Sequence, residues 1–275
     1  MDGRVREAAS RPRSYLWMGL AALVAAALTA PAAPALAAAA AKPIPRAADG
    51  HVDLSGVWLV FQSDTASGLN AMADPPMSKA GEAKIKVWRD QYNLKDMEPN
   101  AYCVEPGMPT TMYGVGAQPF ELVQDSRRVS IVSEVGMQYR RIFMDNRQPP
   151  DGYLPTRNGW SNGRWDGDAL VVETQAIAEW LMPRWAHTDD TKTTERFHLI
   201  RAEDAPKRRN APPIDDGAAP QDFVLVEELT MFDPNIYDVP PKITLYFRKL
   251  PDSEFYEQAC SEGLWWQEME KLKKK

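Results

Sequence analysis

From residue 53 onward, apolar and polar positions alternate in short runs separated by turn residues. Period-two alternation puts successive side chains on opposite faces of an extended strand. Runs of this kind cover residues 53–61, 120–123, 129–135, 137–144, 163–165, 169–174, 193–201, 223–232, 243–248 and 254–259. The series centres on residues 158–174, where Asp166-Gly167 is the strongest hairpin signal. A type I′ turn needs φ > 0 at both central residues, which Asp-Gly adopts at low cost. Helical spacing is rarer. Ser78 is placed as an N-cap before Ala80, Ala83, Ile85 and Trp88, which predicts a short helix to about Gln91. Residues 263–272 predict a terminal helix, with Trp265 and Trp266 capping one end of the strand array. Roughly ten short strands with turn residues between them predict an all-β, antiparallel sandwich or barrel. The lack of βαβ alternation argues against a doubly wound sheet.

The first residues break this pattern. Arg4, Arg6, Arg11 and Arg13 precede an apolar stretch over residues 15–30, and Ala35-Leu36-Ala37 is a small-residue cleavage site. This is the layout of a secretory signal peptide. The competing reading is a membrane anchor, but Pro31 and Pro34 interrupt the run and no basic stop-transfer cluster follows. The expected organisation is a signal peptide over 1–37, a linker over 38–52 and one β-barrel domain over 53–275. The expected place is periplasmic or secreted, without stable membrane insertion after cleavage. The whole chain carries −6, and the removed part carries four Arg against Asp2 and Glu7, a net of +2, leaving about −8. That acidity argues against nucleic-acid or anionic-membrane partners.

Cys103 and Cys260 are the two cysteines. In an oxidising compartment such a pair suggests one disulfide, which by loop-entropy arguments contributes about 4–5 kcal/mol for so long a loop. The alternative is two buried thiols. Their spacing suits neither a CxxC redox motif nor a zinc site.

Several stretches together carry a family resemblance: Asp53-Leu-Ser-Gly-Val-Trp58, Cys103-Val-Glu-Pro-Gly-Met-Pro109, Arg141-Ile-Phe-Met-Asp-Asn-Arg147, Gly163-Arg-Trp-Asp-Gly-Asp-Ala-Leu-Val-Val172, Glu195-Arg-Phe197 and Asp233-Pro234. They resemble a large family of secreted proteobacterial proteins, abundant in sphingomonad-type bacteria that degrade aromatic compounds. The resemblance spans nearly all of the chain after the leader and implies a lipocalin-like β-barrel. The chain departs from the family at Pro149 and Trp160, where His is usual, and at Asn146, where Gly is usual. Gly56-x-Trp58 resembles the lipocalin opening, in which a late-strand Arg, here Arg248, stacks on the Trp by a cation–π contact.

The chemistry is less legible. Gly159-Trp-Ser161-Asn-Gly163 is a literal G-x-S-x-G, but a hairpin follows it where a nucleophile elbow needs a helix. His187 stands in an irregular stretch with Glu195 on the next strand, a position and a neighbour the resemblance implies for the family's His and Glu. A His beside a carboxylate is an acid–base pair near neutral pH. The bland alternative is a His that ties a loop to the barrel. A metal site from His187, Asp189 and Glu195 is the irregularly spaced alternative, and no metal is expected. Alternation puts Tyr139, Arg141 and Phe143 on one face, which their aromatic character assigns to the barrel interior. An inward Arg there would need Glu134, Glu195 or Glu227 as partner. Tyr139, Trp165, Phe197 and Tyr246, with Arg147, are the candidate lining of a ligand cavity; their alternative is plain core packing.

Two functions follow from these residues. One is a cofactor-independent lyase or isomerase acting on a small hydrophobic or aromatic compound, with His187 moving a proton, Glu195 orienting it and Arg141 holding an oxyanion. The other is a non-catalytic lipocalin-like carrier for such a ligand. No nucleotide, flavin or P-loop fingerprint occurs, so no cofactor is expected.

Overall fold

The structure, a computed structural model, describes residues 42–64, 75–91, 103–104, 107–113, 119–134, 136, 138–182, 185–206, 221–250 and 260–272. Nine strands are present among them: β1 (Gly56–Ser63), β2 (Phe120–Gln124), β3 (Arg128–Ser133), β4 (Gln138–Phe143), β5 (Trp160–Asp166), β6 (Ala169–Gln175), β7 (Lys192–Arg201), β8 (Phe223–Phe232) and β9 (Lys242–Lys249). Each pairs with the next, and β9 returns to β1, closing a barrel. The expected strand at 254–259 lies outside the described residues. Among the described residues three α-helices accompany the barrel: α1 (Lys79–Arg89), α2 (Thr110–Tyr113) and α3 (Cys260–Lys271). Among the described residues no helix is long and apolar enough to cross a membrane.

The barrel matches the sequence expectation, but it is mixed. β4 and β5 run parallel, paired only at Ile142↔Ser161 and Phe143↔Asn162. A parallel pair cannot be joined by a tight hairpin. Residues 144–159 form the long connection, and Trp160 Nε1 and Asn162 Nδ2 both donate to Arg147 O at 3.0 Å where it rejoins the sheet.

The central hairpin forms as expected, one residue out of register. Asp166 pairs with Ala169, so the turn residues are Gly167 and Asp168. Gly167 has φ +59°, while Asp168 is not among the left-handed residues. Glycine first and an ordinary residue second is the pattern of a type II′ turn, not the I′ turn expected. The change frees the Asp168 carboxylate for Arg46, whose guanidinium grips it at 2.6 and 2.9 Å.

That grip revises the linker. From Lys42 the chain belongs to the compact unit that runs to Lys275. Val52 and Leu54 are buried, and Gln124 clamps them by accepting from Leu54 N and donating to Val52 O. His51 stacks on Trp165 with centroids 4.7 Å apart. Trp58 is buried as expected and donates its indole N–H to Leu54 O at 2.8 Å. The cation over its ring is Lys249, at 5.6 Å, not the expected Arg248. Register explains this, since Trp58 lies opposite Lys249 while Arg248 lies opposite Leu59. Trp265 and Trp266 do not cap the barrel; they are 61% and 59% exposed.

α1 shows how tightly the outer elements dock. Ser78 caps it, accepting from Gly81 N at 2.9 Å, and Ile85 turns its buried face inward. Ser78 N donates to Ile236 O. A Cβ on Gly81 would meet that same Ile236 carbonyl oxygen at 2.3 Å and its Cα at 2.8 Å. In an exposed helix Gly→Ala gains up to about 1 kcal/mol. Here the sign should reverse: Gly81→Ala is expected to lose about 1–3 kcal/mol, because backbone rather than a side-chain tip must move. Urea unfolding measures it, and a variant as stable as the parent would contradict this packing.

Candidate functional site

Five neighbouring strands contribute a polar side chain to one group on the barrel's inner face: Arg140 on β4, Ser161 on β5, Thr174 on β6, Glu195 on β7 and Glu227 on β8. Arg140 is 2% exposed, and Glu195 and Glu227 are 0%. The Arg140 guanidinium binds Glu195 through both terminal nitrogens, one at 2.6 Å from Oε1 and the other on Oε2. Its remaining donors reach Ser161 Oγ at 3.1 Å and Thr174 Oγ1 at 2.8 Å. Ser161 and Thr174 close the network at 2.9 Å. The G-x-S-x-G serine is therefore part of a buried lattice inside a strand.

Glu227 is the odd member. No donor reaches either of its oxygens among the described residues. It lies opposite Phe197, one diagonal step from Glu195. Burial and the Glu195 carboxylate push its carboxyl well above the usual range, against the opposing pull of Arg140. The cluster is thus one arginine with two buried carboxyls, and the surroundings of Glu227 favour its protonated form.

The second feature is a cleft of about 410 Å³ where β4 and β5 part. Below their two paired positions the strands separate, leaving Tyr139, Arg140 and Arg141 facing Arg157 to Trp160 across the gap. Trp160 forms the centre of an aromatic wall: Phe143 packs on it at 4.6 Å and Tyr153 meets it edge-on at 5.2 Å. Tyr153 OH also donates to Gly159 O at 3.3 Å. Arg157 is fixed by a 3.1 Å bond to Glu179 O and lies 5.0 Å from the Trp180 ring centre. Arg141 extends over Tyr139 and Phe143, at 5.6 and 5.8 Å from their centroids.

The expected site residues are dispersed by this arrangement. Arg140, not Arg141, points inward; Tyr139 and Arg141 are on the outer face, and with them the cleft. The carboxylate that receives the inward arginine, Glu195, was among those expected. His187 is buried, with Nδ1 2.7 Å from Trp185 O and Nε2 3.2 Å from Ala178 O. Burial lowers its pKa, with those carbonyls and Asp233 acting in the other direction. Its ring ties the irregular segment after β6 together and does not meet Glu195, whose bonds go to Arg140. The four aromatics do not form one cavity. Phe197 is in the core, Trp165 faces His51, Tyr139 borders the cleft, and Tyr246 is half-buried on β9 opposite Val226. Arg147 pairs with Asp145 and stacks 4.6 Å from Phe143. Trp160, Tyr153 and Arg157 were not expected. Tyr153 and Arg157 come from the connection, which has no period, and Trp160 opens β5 directly after it, so only the cluster of Pro, Tyr and Trp there signalled them. Comparison with protein-family models and with curated proteins finds no match.

Proposed function

We propose that the protein is a binding protein for a small aromatic or hydrophobic compound, held in the cleft between β4 and β5. The observation that carries this reading is the Phe143–Trp160–Tyr153 wall on a cleft of about 410 Å³. Ligand pockets of a few hundred Å³ combine such apolar walls with a few polar groups that set orientation. Offset or edge-on ring contacts add to the buried area. Calorimetric titration with naphthalene-sized compounds tests it. Trp160→Ala is expected to weaken binding about tenfold, the equivalent of one ring contact. Unchanged affinity in that variant would end the proposal.

A lyase or isomerase is the second reading, and one observation favours it. Tyr139 stands at the cleft with its phenol pKa lowered, first by its hydrogen bond with Ser130 and then by Arg141. A phenol so placed is a candidate acid–base group. No Asp, Glu, His, Lys or Cys lines the cleft among the described residues. Tyr139→Phe would abolish turnover with binding retained if this reading holds; a compound recovered with unchanged mass and isomer pattern from the parent protein favours the carrier.

We further infer export across the inner membrane, supported by the basic and apolar leader-like segment of residues 1–37. A Cys103–Cys260 disulfide fits that compartment. Its support is Cys103, which is not a free thiol.

A further inference from the structure

We propose that the ligand is an aromatic carboxylate, selected by its charge through Arg141. The inference rests on the binding reading above and adds the chemical class. Three arginines border the cleft, Arg140, Arg141 and Arg157, and no acidic residue borders it among the described residues. Arg140 is neutralised by Glu195 behind it. Arg157 is held by a backbone carbonyl and an indole face, which leave its charge uncompensated. Arg141 is exposed, and among the described residues no carboxylate pairs with it. Two positive charges thus face one opening on a chain whose net charge is −6.

Four other surface arginines make a contrast. Arg46, Arg147, Arg164 and Arg196 each have a carboxylate partner. Arg127 and Arg128 are also exposed without a direct ion pair among the described residues, but Arg141 and Arg157 are the two that flank the cleft, beside its aromatic wall. A local positive field in an acidic protein draws anions to that opening. A guanidinium matches a planar carboxylate with two parallel N–H···O bonds. Arg141 lies 5.8 Å from the Phe143 centroid, so a carboxylate held by it puts the attached ring against Phe143 and Trp160.

The test compares 2-naphthoate with 2-naphthalenemethanol by calorimetric titration of the purified protein. The two share a ring system and differ in charge. The acid is expected to bind about tenfold more tightly, the scale of one charge-assisted hydrogen-bond pair. Arg141→Gln should collapse that preference while leaving the alcohol's affinity in place, and Arg141→Lys should retain part of it. Arg141 is exposed, so both variants should fold, which equal melting temperatures verify. Equal binding of acid and alcohol by the parent would overturn the charge inference and leave the binding reading standing. A preference that survives Arg141→Gln would overturn the assignment to Arg141. No binding of either compound would overturn both.

Discussion

Arg140→Met is expected to lower the unfolding free energy at pH 7 by about 3–5 kcal/mol, while Glu227→Gln is expected to raise it. The opposite signs come from one cluster. Arg140 supplies the positive charge among three ionisable groups sealed inside the barrel, where it holds Glu195 with two hydrogen bonds and also satisfies Ser161 and Thr174. Removing it leaves two buried carboxyls and no counter-charge. The double variant Arg140→Met, Glu195→Gln removes both charges and should recover much of the loss. Glu227 behaves differently because burial and the Glu195 carboxylate raise its carboxyl well above the usual range. Its folded pKa is raised, so the folded state keeps a proton that the unfolded chain releases above about pH 4.3. Its contribution is therefore full below that pH and declines as pH rises toward the folded pKa, by up to about 1.4 kcal/mol per unit. A glutamine does not titrate. Glu227→Gln should match the parent or fall slightly below it at pH 4, since one amide N–H lacks an acceptor, and exceed it at pH 7 and above. Urea unfolding at pH 4, 6 and 8 reads both variants. A pH-independent difference for Glu227→Gln, or a loss under about 1 kcal/mol for Arg140→Met, would refute this charge assignment.

The same cluster shows what the sequence made legible. Strand positions were readable because alternation and turn residues are local: β7 and β8 span the expected 193–201 and 223–232 almost residue for residue. The inner face was misassigned on β4 because Arg140 and Arg141 are adjacent and occupy both parities. Tyr139 and Phe143 drew the aromatic parity inward, yet Ile142 is the fully buried neighbour and Tyr139 is 45% exposed. A one-residue shift moves every side chain to the other face. The available signal was on other strands. Thr193-Glu195-Phe197 and Leu225-Glu227-Leu229-Met231 each carry a glutamate in the apolar parity. Two acids on inward positions need an inward base, and Arg140 shares the parity of Ile142.

The cleft was not legible for a different reason. It arises from the parallel β4–β5 seam, and nothing local distinguishes a parallel neighbour from an antiparallel one when the connection between them lacks a helix. Its lining comes from residues 139–143 on one side and 153–160 on the other, which meet only after the crossing. The central hairpin illustrates the intermediate case: its existence was local and readable, while its register depended on whether Gly167 took the first or the second turn position.

Asp233→Ala is expected to cost about 3–4 kcal/mol and, on the proposed binding reading, to weaken affinity at the cleft. The carboxylate is buried after β8, and Oδ2 alone accepts from Thr188 N at 2.6 Å, Thr188 Oγ1 at 2.9 Å and Thr191 Oγ1 at 2.7 Å. Oδ1 accepts from Asn235 N at 3.0 Å. Each donor left without a partner costs about 1–3 kcal/mol, less where a hydroxyl can turn to another acceptor. Asp233→Asn should cost less, because one oxygen remains for Thr188 and Thr191 while the amide nitrogen faces the Asn235 N–H. The functional consequence follows from the contacts of the segment that Asp233 fixes. Thr188 follows His187, whose backbone pairs with Trp180 at 2.7 and 2.9 Å, and Tyr237 OH donates to Ala186 O. Trp180 and Glu179 O together position the Arg157 guanidinium beside the cleft. Loosening the segment should raise the rate of amide exchange at Thr188 and His187 before the barrel strands open. It should also lower affinity for 2-naphthoate at temperatures where the variant is still folded. If Thr188 exchange stays protected in Asp233→Ala, the carboxylate is not the lock. If protection is lost but naphthoate affinity is unchanged, Arg157 does not depend on that segment for its place at the cleft.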